Sequence, residues 1–153
     1  MNAAPITIRR GGGFAWQIHF CRRELTLILE AMRKICALEA MPLEIVLADD
    51  AVVSEANAAY LGCMGPTNVI SFPPYFGPCL GASIPGQGLV ALSLDAVNRE
   101  ALLYNQDPAE HALRLLAHGM VHLSGLDHGE AMTLLENSAL DAGIAAWRES
   151  LLP

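Results

Sequence analysis

Three of the five histidines in this 153-residue chain fall within eleven positions, in the run H-G-M-V-H-L-S-G-L-D-H from His118 to His128. An imidazole nitrogen is a common ligand for zinc-type ions, and two histidines four residues apart on a helix project from one face with about 6 Å of axial rise between them. His118 and His122 have that spacing. Gly125 tolerates the positive φ that would turn the chain back after the helix, and such a turn would carry His128 toward the same point as a third imidazole. Three neutral nitrogens leave a fourth tetrahedral position open, which is the pattern of a catalytic rather than a structural zinc site. Asp127 is placed to orient a ligand imidazole from behind, or else to face solvent.

Each histidine also has a plainer explanation as part of a polar helix stripe. The flanking Leu115, Leu116, Met120, Val121 and Leu123 argue against it, because they predict a largely buried helix where unpaired imidazoles are poorly accommodated. His111 lies seven residues before His118, too far along the axis to share an ion, and is assigned to exposed first turns. The spacing coincides with the zinc-protease pattern H-E-x-x-H-x-x-G-x-x-H except at Gly119, where those enzymes carry their general base. Gly119 therefore either leaves room for substrate or lets the helix pack closely.

The element carrying these histidines starts strongly, with Asp107 as N-cap, Pro108 at the first helical position and Glu110 three residues past the cap. Other elements are predicted around it. Ile6 to Arg9, Leu43 to Ala48, Val69 to Phe72 and Leu89 to Leu94 read as strands. Helices are expected from Arg22 to Leu38, from a cap at Asp49 or Asp50 to Tyr60, from a cap at Asp95 to Tyr104, and from Ala131 to Trp147. Residues from Pro73 to Gln87, rich in Gly and Pro, are expected to loop. Four strands and about five helices in mixed order predict one α/β domain spanning 1–153, with an approximately four-stranded mixed sheet in a two- or three-layer arrangement and the histidines at the end of a central helix.

Composition narrows the setting. Hydrophobic residues make up 53% of the chain and charged ones 16%, which excludes a disordered polymer. No stretch has the length of a membrane span, so a cytoplasmic protein is expected. Cys21, Cys36, Cys63 and Cys79 are scattered and read as reduced thiols, Cys21 and Cys36 as small buried hydrophobes and Cys63 in a loop. The net charge of −7 opposes generic nucleic-acid binding, DNA included, but residues 1–34 hold six basic and two acidic groups while the remainder holds three and fourteen. The positive charge sits on Arg9, Arg10, Arg22, Arg23, Arg33 and Lys34, which a solvated helix face would explain equally well.

At the histidine run the chain resembles the YbeY family of bacterial endoribonucleases, whose motif H-G-x-x-H-L-x-G-x-D-H it matches throughout. Asn57, Tyr60, Pro66-Thr67 and Val69 to Pro73 are similar to the family segment L-N-x-x-Y-R-x-K-D-x-P-T-D-V-L-S-F-P. Gly88 to Ala101, with Ser93 and Arg99-Glu100-Ala101, resembles the strand and helix that follow. The resemblance implies a metal-dependent endoribonuclease acting on single-stranded RNA in ribosomal RNA maturation, one divalent ion, zinc first, on His118, His122 and His128, and the small ribosomal subunit with its assembly factors as partners. Leu61, Cys63, Met64 and Asn68 depart from the family's arginine, lysine and two aspartates, and Leu89 from a position usually acidic. The arginine would clamp a substrate phosphate, which leucine cannot do. Thr67, Ser71 and Arg99 are candidate groove residues, and Arg99 or the N-terminal arginines could supply the missing cation. The alternatives are a non-catalytic or substrate-shifted metal-binding ribosome-assembly protein and a hydrolase of peptides or small molecules.

Overall fold

The computed structural model describes residues 2–13, 18–65, 67–74 and 86–153. Strands β1 (Ile6–Gly11), β2 (Leu43–Ala48), β3 (Val69–Phe72) and β4 (Gly88–Ser93) form one mixed sheet of order β1-β2-β4-β3. The first three strands in that order run parallel, and β3 pairs antiparallel to β4 at the edge, with Ser71 opposite Val90. β2 and β4 are buried at every position, as central strands covered on both faces must be.

Helices α1 (Arg22–Ile35), α4 (Pro108–Leu123) and α5 (Glu130–Ser150) cover one face, where Leu29, Met32, Leu116 and Met120 meet Ile45, Leu47, Val90 and Leu92. α2 (Asp50–Leu61) covers the other, with Val53 and Ala56 against Val46, Ala91, Ile70 and Phe72. α3 (Leu94–Leu103) follows β4 directly, joins the first core through Leu94 and Val97, and packs against α4. The result is the three-layer form of the expected α/β fold.

Local chemistry accounts for most element ends. Asp49 accepts from Val52 N at 2.9 Å to start α2, and Gly62, at φ +65°, ends it. Asp107 accepts from Glu110 N at 3.0 Å behind Pro108. Several expectations need correction. α3 is capped by Ser93, whose Oγ accepts from Ala96 N at 3.1 Å, because β4 ends one residue earlier than expected; Asp95 instead accepts from Asp50 N at 2.9 Å and ties α2 to α3. Cys21 is exposed rather than buried, and its sulfur and Glu24 cap α1 reciprocally. His111 is 6% exposed, not on open first turns: α3 packs across the start of α4, and His111 Nε2 meets Glu100 Oε2 at 2.7 Å.

The N-terminal cations do not form one solvated face either. Arg33 is fully buried, bonded to the Ala4 carbonyl and to Glu30, and Arg9 pairs with the buried Glu44. Cys36 is buried as expected, and burial pushes its thiol up to about 11. Cys63 is exposed just past α2. Cys79, Pro66 and the greater part of the expected Gly/Pro-rich loop, 75–85, lie outside the described residues.

Candidate metal centre and its cleft

The buried stripe of α4 presses its middle against the sheet. At Gly119 an added Cβ would stand 2.6 Å from Val90 Cγ1 and 3.1 Å from Val69 Cγ2, so this glycine serves close packing rather than room for substrate. Ser71 Oγ donates to the Gly119 carbonyl at 2.8 Å and fastens the same turn to β3. With that turn fixed, His118 and His122 share a cleft with Val69, Ile70 and Ser71 of β3. α4 ends at Leu123 with Ser124 as its C-cap, Gly125 takes φ +84°, and the reversed chain delivers His128 before α5 begins.

The three rings gather as the spacing predicts. Their centroids are 4.6 Å apart for His118 and His122, 5.0 Å for His122 and His128, and 6.0 Å for His118 and His128. His118 and His122 point their Nε2 atoms at each other, 3.0 Å apart, so one ring donates to the other. As they stand, no three His, Cys, Asp or Glu side chains among the described residues have the geometry to hold an ion. Two nitrogens of a tetrahedral zinc site lie about 3.3 Å apart. The two rings would need to open by only a few tenths of an ångström.

The donor set fits a borderline divalent ion. Glu136 Oε2, from α5, lies 2.9 Å from His118 Nδ1. With the carboxylate ionised, Nδ1 carries the proton and Nε2 turns its lone pair into the cluster, the arrangement that usually backs a metal-bound histidine. Burial, then the neighbouring His118 and His128, hold His122 below the ordinary histidine range, which keeps it in the neutral form a metal requires. Glu136 escaped sequence reasoning because it acts across the α4–α5 interface, where no spacing rule distinguishes it from Glu130 or Asp127. Asp127 lines the cleft, but among the described residues no hydrogen bond joins it to an imidazole.

A cleft of about 390 Å³ opens beside His118 and His122. Leu61, Val69, Pro73 and Leu126 supply apolar wall, and Asn57, Thr67 and Ser71 supply polar groups. Thr67 and Ser71, the candidate groove residues, both line this cleft. Arg99 does not: it pairs with Asp50 Oδ2 at 2.8 Å and lines a neighbouring cavity of about 300 Å³ with Asn68 and Glu100, sharing only Thr67 with the cleft. The bond from Arg99 holds the Asp50 carboxyl below its ordinary range.

The sequence model of the endoribonuclease YbeY family matches residues 17–142. The chain belongs to that family. An endoribonuclease YbeY from Nitratidesulfovibrio vulgaris is 39% identical over 145 residues, covering 86% of this chain and 90% of the relative. One from Oleidesulfovibrio alaskensis is 38% identical over 144 residues, covering 83% and 84%. The solution structure of a Thermotoga maritima protein aligns with a TM-score of 0.61 at 19% identity over 95% of this chain and 93% of that one, a likeness of fold. No helix among the described residues is long and apolar enough to cross a membrane.

Proposed function

We propose that residues 1–153 form a metal-dependent endoribonuclease domain that cleaves single-stranded RNA in ribosomal RNA maturation, in the cytoplasm, with one zinc ion on His118, His122 and His128. The observation that carries this reading is the gathering of three imidazoles, one backed by Glu136 and two lining a cleft, in a chain of the YbeY family. A divalent ion bound there would supply Lewis-acid chemistry, polarising a phosphoryl oxygen and acidifying a water. The protein's own residues do the positioning. Glu136 holds the proton of His118 on Nδ1, Ser71 and Gly119 lock the helix turn to β3, and Leu61 and Leu126 give the cleft an apolar wall. The partners on this reading are ribosomal RNA and the small subunit with its assembly factors.

Incubating zinc-loaded protein with single-stranded ribosomal RNA tests it. Cleavage should be lost in His122→Ala and restored to wild type only by metal; equal cleavage by both proteins would assign the activity elsewhere. One observation favours a second reading, a metal-binding assembly protein without turnover: among the described residues no lysine or arginine lines the cleft. Under that reading chelation unfolds the protein while no substrate is ever consumed. A peptidase is disfavoured, since the tight packing at Gly119 leaves no space for the missing general base.

A further inference from the structure

All nine lysines and arginines of the chain lie among the described residues, and none of them lines the cleft beside the histidines. Arg99 lines the neighbouring cavity that shares Thr67 with the cleft, and its charge is engaged by Asp50. The one carboxylate lining the cleft is Asp127. Walls of this kind cannot neutralise a phosphate, whose capture by proteins relies on cationic side chains. What the cleft does offer is apolar surface left open to solvent. Leu61, at the last turn of α2, is 44% exposed, and Pro73 and Leu126 are only partly covered. A scattered exposed leucine means little, but here three apolar side chains share one concavity with the histidines.

We propose that this cleft seats an unpaired nucleobase of the RNA against Leu61, Pro73 and Leu126, so that the strand is recognised beside the histidines through a base face rather than a clamped phosphate. The inference rests on the RNA reading above and names how that substrate is held. A base in a single strand is free to splay out and bury its face on such a surface, while its edge seeks hydrogen bonds. Asn57 stands at the rim for that edge: its Nδ2 makes only a long bond of 3.4 Å to the Gly65 carbonyl, leaving its second amide hydrogen and its oxygen available. The cleft, near the lower end of the ~300–1,000 Å³ typical of small-ligand sites, accommodates one such group and not a duplex.

The test is binding, read by fluorescence anisotropy with zinc-loaded protein and short single-stranded oligoribonucleotides, either intact or carrying abasic residues. Wild type should favour the intact strand by about tenfold, the scale on which apolar pockets discriminate. Leu61→Ser should erase most of that preference and Leu61→Met should retain it. Leu61→Arg should bind both strands more tightly and steepen the logarithmic salt dependence by about 0.7, as one added phosphate contact does. Equal affinity of wild type for the two strands, including no affinity for either, overturns the base seat, as does an undiminished preference in a folded Leu61→Ser protein. Because no turnover is needed, this result stands apart from the His122→Ala cleavage experiment.

Discussion

Replacing Glu136 by glutamine removes a charge behind His118 while keeping the side chain's shape, and it separates a metal-tuning role from a structural one. The carboxylate oxygen is 2.9 Å from Nδ1, and the two side chains retain 31% and 24% of their exposure. A pair that open to solvent contributes at most about 1 kcal/mol to folding. The same carboxylate behind a metal ligand matters more, since losing such a partner typically weakens metal binding 10–100-fold, about 1.4–2.8 kcal/mol. Zinc affinity should therefore fall by about tenfold in Glu136→Gln, where the amide oxygen still accepts from Nδ1–H, and further in Glu136→Ala. The metal-free protein should lose less than about 1 kcal/mol in either variant. Competition against a chromophoric chelator reads the first quantity and urea unfolding of the metal-free protein reads the second. If both variants bind zinc within twofold of wild type, the role of Glu136 behind a ligand is refuted.

Gly119→Ala should destabilise the protein by about 1–2 kcal/mol, the overpacking against Val90 exceeding the ~1 kcal/mol gained in helix propensity; an unchanged urea midpoint would contradict the close approach of α4 to the sheet. The carboxyl of Asp50 is depressed below its ordinary 3.8 by the hydrogen bond from Arg99, so its contribution is present above the unfolded pKa and lost as pH falls through the lower folded value. Asp50→Asn should thus be less stable than wild type at pH 7, with the gap narrowing as pH falls below about 4, and a gap that does not change between pH 7 and acid pH in urea titrations would exclude the ion pair as its source. With its thiol raised to about 11 by burial, Cys36 should resist maleimide at pH 8 while Cys21 and Cys63 react, as mass spectrometry of the labelled peptides would show. Labelling of Cys36 at the rate of the exposed thiols would mean that the end of α1 opens readily.

Sequence alone determined what depends on neighbours along the chain. β2 and β3 lie at the expected residues because apolar runs end at Asp49 and Pro73, and α4 starts where Asp107, Pro108 and Glu110 say it must. The four-residue spacing and Gly125 bring the three histidines together by helix geometry and one permissive φ, both local properties. Tertiary structure decided what depends on residues far apart. Glu136 finds His118 from another helix, Glu100 makes a buried site for His111, and β4's end hands the capping role to Ser93. The lack of a cation at the cleft among the described residues is also of this kind: Arg99, in the middle of α3, is held by Asp50 at the start of α2. Periodicity says which face a side chain takes, and only the packing of helices on the sheet says what charge or surface waits there.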